Sequence, residues 1–286
     1  MNNNTTVKAY AKINLTLDVT GRLPTGYHTV EMVMQSVKLC DRITLMTDDT
    51  GLVSMVCDRA DLSVGEDNLA VRAARLFLAY CGLSNVGVKI KLEKNIPMQA
   101  GMAGGSADAA AVLIGLNELL KLHLTEQELC EIGVKLGADV PYCICGGTML
   151  AEGIGEMLSP LPAMPSCTVL ICKPPVGVPT PEVYRAIDDT PILEHPQTPE
   201  MIAALQAQDL ERIGSLLCNV MEPVTAGKHP VIYEIKETMK AHGALGALMS
   251  GSGSAVFGLY SSREMAMKAY EILSAQFSET FLTETV

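Results

Sequence analysis

The chain has 286 residues, 48% of them hydrophobic, and 21 basic side chains against 32 acidic ones give it a net charge of −11. That much apolar residue buries a substantial core in one large or two ordinary domains, while the acidic balance excludes extended nucleic-acid binding, because it repels a polyanion over any long surface. Nine dispersed cysteines form neither a disulfide framework nor paired zinc ligands, Met1 to Val7 is polar, and nowhere do eighteen apolar residues run together, so a cytoplasmic protein with no membrane partner is expected.

In chain order, Ile13, Leu15, Leu17 and Val19 alternate with Asn14, Thr16 and Asp18, the period-two pattern of a strand with one wet face. Residues 30 to 57 hold short apolar runs broken at Asp41, Asp48, Asp49 and Gly51, which predicts a meander of antiparallel strands. Asp67 and Asn68 cap a helix carrying Leu69, Ala73, Leu76, Phe77 and Tyr80, and Gly82 stops it. Val86, Val88, Ile90 and Leu92 then alternate with Lys89, Lys91 and Glu93 in a strand that delivers the chain into a glycine-rich loop, followed by a helix from about Ser106 to Lys121. Thr125 with Glu128 is a capping box for another helix ending near Leu136, and Cys143 and Cys145 read as reduced thiols on a buried strand.

The Gly- and Pro-rich stretch from 152 to 165 contains no long periodic element and is the expected boundary between a domain of residues 1–158 and one of residues 159–286. Cys167 to Lys173 opens the second half as a buried strand, and Thr180-Pro181-Glu182 supplies a cap, an N1 proline and an early acid. Helical patterns near 199 to 218 and 230 to 241 precede strands at 245 to 249 and 255 to 259, and a helix over 263 to 276 and a short strand complete an α+β chain.

Most chemistry sits in Pro97-Met98-Gln99-Ala100-Gly101-Met102-Ala103-Gly104-Gly105-Ser106-Ala107-Asp108. Gly101, Gly104 and Gly105 let backbone amides approach an anion without Cβ interference, and the following helix adds unsatisfied N–H groups and roughly half a positive charge. The segment lacks the Gly-Lys-Ser/Thr ending of a P-loop and the spacing of a dinucleotide fingerprint. It is either a third kind of phosphate loop or a glycine-rich turn that opens a helix for steric reasons.

Three further segments stand with it: Ala9-Tyr10-Ala11-Lys12-Ile13-Asn14-Leu15 followed by Pro24-Thr25-Gly26-Tyr27-His28, Gly137-Ala138-Asp139-Val140-Pro141, and Gly246-Ala247-Leu248-Met249-Ser250-Gly251-Ser252-Gly253-Ser254. Together, and in this order, they resemble the GHMP kinases over about residues 7 to 260, with Met102 where leucine is usual and Ala107 where a second serine is common. The resemblance implies a two-domain fold, an N-terminal ribosomal-protein-S5-like domain and a C-terminal ferredoxin-like α/β sandwich, with the active site in the cleft between them. It implies ATP held by Pro97, Met98, Gln99, Ala100, Gly101, Met102, Ala103, Gly104, Gly105, Ser106 and Ala107, and Mg²⁺ across its phosphates with Ser106 as the protein ligand. Ser106 is otherwise an N-cap.

Within the family, Ala11-Lys12-Ile13-Asn14, Gly26-Tyr27-His28 and the Asp139 segment resemble the branch whose acceptor is 4-diphosphocytidyl-2-C-methyl-D-erythritol, a cytidine diphosphate methylerythritol of the non-mevalonate isoprenoid route. That branch implies Lys12 beside the 2-hydroxyl, Asp139 taking its proton, Tyr27 and Tyr184 sandwiching the cytosine, His28 reading its polar edge, and Asn14 and Thr180 bonding the remainder. Read by residue alone, Lys12 is a solvated strand lysine or a cleft group, Asp139 a turn former or an acid in need of a partner, and Ser250 to Ser254 a flexible hairpin or part of the site. His123, His195, His229 and His242 have no ligand spacing and read as surface residues. A homoserine- or mevalonate-type kinase is the rival within the family, a non-catalytic nucleotide-binding module the rival outside it, and the assembly expected is a monomer or weak homodimer.

Overall fold

The computed structural model describes residues 4–286. By contact the chain separates into two interleaved units, Met1–Ala11 with Cys40–Ile96 and Ala103–Gly146, and Lys12–Leu39 with Pro97–Met102 and Gly147–Val286.

The first unit takes the start of β1 (Asn4–Arg22) and the end of β2 (His28–Asp48). It adds β3 (Val53–Cys57), α1 (Leu69–Tyr80), β4 (Gly87–Glu93), α2 (Gly104–Leu120), α3 (Glu126–Gly133) and α4 (Asp139–Cys145). β4 pairs antiparallel with β2 from Arg42 opposite Glu93 to Asp48 opposite Gly87, and parallel with β3 from Val53 opposite Val88. α1 lies on β3 and β4 and packs against α2, whose alanine-rich buried face allows a close approach of the two helices. Asn68 caps α1 through the amide of Ala70, and Thr125 and Glu128 form the expected capping box on α3.

The second unit adds β5 (Thr148–Glu152), β6 (Met157–Pro160), β7 (Thr168–Lys173), α5 (Thr180–Ile187), α6 (Thr198–Gln206), α7 (Leu210–Ser215), β8 (Cys218–Asn219), α8 (Glu222–Lys228), α9 (Val231–Ala241), β9 (Gly246–Met249), β10 (Val256–Tyr260), α10 (Arg263–Ser274) and β11 (Glu279–Glu284). Its four-stranded antiparallel sheet runs β11-β7-β10-β9, with every residue of β7 buried as its apolar run predicts. α9 and α10 pack on this sheet. β5 pairs with β2 and with β6, and β8 runs parallel to β1.

Several expectations change here. Asn14 and Thr16 are both fully buried, so β1 has no wet face at this level; its polar side chains are enclosed among hydrogen-bonding partners. Asp41 does not break the meander: β2 runs through it as one strand, because the buried carboxylate accepts the Asn95 and Ile96 N–H groups and a bond from Lys94. β3 and β4 are parallel, with α1 as their crossover. Cys143 and Cys145 lie on α4 and not on a strand; Pro141 fits the first turn of that helix, where its missing N–H has no intrahelical role. The helical pattern over 199 to 218 divides at Gln208, which has φ +56°, and Asp209 caps the second piece. The stretch from 152 to 165 holds β6, and Thr180 is the first residue of α5 after Pro179 and not its cap.

Candidate functional site

In the second unit the loop 97–102 is shaped by two left-handed residues, Gln99 at φ +50° and Gly101 at φ +72°. A Cβ on Gly101 would stand 2.0 Å from the Ser250 carbonyl oxygen, so only glycine lets these two backbones meet. The segment Ser250 to Ser254 is buried and pinned there, which removes the flexible-hairpin reading. Ser250 Oγ donates to the Gly101 carbonyl (3.0 Å), Ala255 N–H donates to the Ala100 carbonyl (3.3 Å), and Asn219 Nδ2 donates to the carbonyls of Met249 and Gly251 (2.8 Å each).

Lys12 ends in the same place. Its residue is 4% exposed, and its ammonium donates to Asn14 Oδ1 at 2.5 Å and to the Gly101 carbonyl at 2.9 Å. A Cβ on Gly251 would come within 3.3 Å of the ammonium, which lies against both glycine segments. Lys12 and Asn14, two apart on β1, therefore share one face as their spacing predicts, with a charge held where solvent does not screen it.

Further along this unit, His28 stacks on Tyr184 with ring centroids 5.0 Å apart and planes 19° from parallel. His28, and not Tyr27, is the ring face to face with Tyr184; Tyr27 sits in the turn after β1 and is 64% exposed. Asp188, just past α5, lies 2.6 Å from His28 Nε2 and accepts a bond from Arg22 Nη1 at 3.0 Å. The hydrogen bond to His28, then the nearby charges of His28 and Arg22, hold the Asp188 carboxyl below the usual range. Thr180 Oγ1 and Ser252 Oγ are within hydrogen-bond distance at 2.9 Å. Asp188, Arg22 and Asn219 carried no sequence signal, because each reaches its partner across tens or hundreds of residues.

In the first unit, α2 opens without a side-chain cap. Ala103 precedes it in the left-handed region (φ +56°, ψ +27°), and Gly104, Gly105 and Ser106 form its first turn. Helix geometry leaves these first N–H groups without intrahelical partners, and bare glycines leave them accessible. Ser106 lies inside the helix and not at its N-cap, half-buried, with its hydroxyl 3.9 Å from where a Cβ on Gly137 would stand; Ala107 is buried. Asp139 is the first residue of α4, half-buried and at the end of a helix that favours negative charge. Among the described residues, no three His, Cys, Asp or Glu side chains gather as a metal centre, and no helix is long and apolar enough to cross a membrane.

Comparison with known proteins decides the lineage. Residues 68–147 match the family described as GHMP kinases N terminal domain, and residues 201–279 match GHMP kinases C terminal. The 4-diphosphocytidyl-2-C-methyl-D-erythritol kinase of Lachnoclostridium phytofermentans is 48% identical over 97% of this chain and 96% of its own, and that of Alkaliphilus metalliredigens is 46% identical over 98% and 96%. A crystal structure of 4-(cytidine 5'-diphospho)-2C-methyl-D-erythritol kinase superposes with a TM-score of 0.81 at 35% identity, covering 98% of this chain and 99% of that one. The chain belongs to the GHMP kinases. It has the two-domain α+β fold of that family and is an ATP-dependent small-molecule kinase. A homoserine kinase from Cytophaga hutchinsonii reaches the same TM-score, 0.81, at 21% identity; that likeness shows the fold alone. In this GHMP kinase, then, acceptor choice is a matter of the side chains placed on the fold.

Proposed function

We propose that this GHMP kinase transfers the γ-phosphoryl group of ATP to the 2-hydroxyl of 4-diphosphocytidyl-2-C-methyl-D-erythritol in isoprenoid biosynthesis. The observation that carries the acceptor is the aromatic His28–Tyr184 stack, with Asp188 and Arg22 bonded beside it, aromatic and polar groups of the kind that hold a pyrimidine. Relatives named for that substrate, at 48% and 46% identity, support it.

The residues of this chain divide the work as follows. The first-turn amides of α2, at Gly104, Gly105 and Ser106, and the loop Pro97 to Met102 bind the triphosphate, with Ala103 and Ala107 lining it. The uncapped start of α2 fits that role. Lys12 polarises the acceptor hydroxyl and balances developing charge, and Asp139 holds the proton that this hydroxyl loses. Positioning and charge neutralisation dominate phosphoryl transfer, and a base adds about 10²- to 10⁴-fold. Tyr27 and Tyr184 flank the cytosine, His28 reads its edge, and Asn14 and Thr180 bond the rest of the acceptor. Ser106 is the hydroxyl suited to Mg²⁺. When bound, the ion supplies neutralising charge. We place the enzyme in the cytoplasm as a monomer or weak homodimer, with an ATP-binding domain over residues 1–158 and a second domain over residues 159–286.

The test is ADP release with the cytidylated acceptor, free methylerythritol, homoserine and mevalonate. Transfer to the cytidylated compound alone is expected; equal turnover of any other refutes the acceptor. Asp139→Asn should lower kcat by about 10²- to 10⁴-fold with ATP binding unchanged, and wild-type kcat in that variant removes its role.

A further inference from the structure

The first unit holds a pair of thiols that the transfer reaction does not use. Cys130 stands on α3, Cys145 is the last residue of α4, and their sulfurs lie 3.8 Å apart. Both residues are half-buried and within reach of a small solute, whereas Cys167 and Cys172 are buried. α3 and α4 pack on each other, so helix packing brings the two sulfurs together. Cys130 Sγ is further fixed by the Pro141 carbonyl of α4, at 3.8 Å. Cys143, two residues before Cys145, leaves α4 on another side, because neighbours on one helix face are three or four residues apart.

Thiols at this distance are one short step from a covalent bond. In a disulfide the sulfurs are about 2.05 Å apart, and α4 is free to give at this end, since Gly146 follows Cys145 in the left-handed region at φ +68°. The hydrogen bond between the two thiols lowers Cys130 below its usual value, against burial and the Glu126 charge, while the same bond and burial raise Cys145. The thiolate is the reactive form. Cys130 is accordingly the sulfur that attacks and Cys145 the one that resolves.

We propose that Cys130 and Cys145 are a peroxide-reactive dithiol site, which closes to a disulfide and so keeps the attacking sulfur from irreversible oxidation. The Cys130 thiolate attacks one oxygen of hydrogen peroxide; the O–O bond breaks, a sulfenic acid forms on Cys130, and the departing hydroxide takes up the thiol proton as water. The Cys145 sulfur then attacks the Cys130 sulfur; the S–O bond breaks, and the departing hydroxide takes the Cys145 proton as a second water. Each sulfur has lost one electron and the peroxide has gained two. A sulfenic acid without such a neighbour goes on to sulfinic acid, which thiol reductants do not reverse. The disulfide returns to two thiols by exchange with a small dithiol.

The experiment uses the full chain, reduced and freed of reductant. It is treated with hydrogen peroxide, with or without a 1,3-dione that captures sulfenic acids, then blocked with an alkylating reagent, digested and read by mass spectrometry. Wild type should give peptides joined through Cys130 and Cys145, lighter by two hydrogens than the free peptides and separated by dithiothreitol. Cys143→Ser should give the same link. In Cys145→Ser the link should be lost, with the dione adduct on Cys130 and, without dione, more sulfinic acid there than in wild type. The wild-type link is read without any variant, so it stands as the test if Cys145→Ser does not fold. Cys130 and Cys145 left unlinked after peroxide, a link to Cys143 or to a second chain in place of Cys145, or sulfinic acid on Cys130 formed as fast in wild type as in Cys145→Ser overturns the proposal.

Discussion

Two groups of three charged or polar side chains show how differently the same chemistry behaves when dry and when wet. Lys94, Asp41 and Asp108 are sealed inside the first unit; Arg22, Asp188 and His28, in the second, have side chains 57%, 34% and 8% exposed. In the sealed group each ion depends on the others, because desolvation of any one is offset only by its partners. In the open group water competes for Arg22 and Asp188, and such pairs contribute little to stability. The first ties the residues before Pro97 to the start of α2, the second holds the His28 ring through Asp188.

The sharpest way to break this comparison is Lys94→Met, which leaves two buried carboxyls without their cation. It should cost about 3–5 kcal/mol, a fall in Tm on the order of ten degrees by thermal melting. A change as small as that of a surface pair would erase the distinction. Next comes Tyr184→Ala, which removes the ring under His28. It should weaken acceptor binding by about 1–3 kcal/mol, read as a raised KM for the cytidylated compound, with KM for ATP and Tm near wild type; equal rises in both KM values contradict the stacking role.

The smallest effect belongs to Asp188→Asn. Tm should move by no more than about two degrees at neutral pH, while KM for the acceptor rises a few-fold as His28 loses its orienting partner. Because the Asp188 carboxyl is held below its ordinary value of 3.8, its contribution is present above that pH and fades as pH falls through its lowered value. Melting curves of wild type and variant should therefore converge in acid. A difference that persists there would point to packing and not to charge.

Of the wet group the sequence showed only His28, and the dry one half showed itself, for physical reasons. Lys12 and Asn14 were legible, since alternation on β1 put them on one face, and the glycines of the 97–105 segment announced themselves by what their missing Cβ atoms permit. Asp41 was visible only as an interruption; nothing local says that Asn95 and Ile96, more than fifty residues on, supply its bonds. Asp108 drew no reading of its own, because its partner Lys94 lies before the loop and not on the helix. Alternation likewise predicted a wet face for β1, because a period of two marks polar positions and is silent about what covers them. α4 was misplaced because its apolar run is too short to tell helix from strand by period.

The central claim is that this kinase directs a phosphoryl group to one hydroxyl of one cytidylated alcohol. A single-turnover reaction with γ-labelled ATP and 4-diphosphocytidyl-2-C-methyl-D-erythritol, its product resolved by phosphorus NMR, tests this directly. The account predicts one new phosphomonoester on the 2-hydroxyl, with the label in it and ADP formed in equal amount; label on another hydroxyl, or ADP formed with no labelled acceptor, would contradict it.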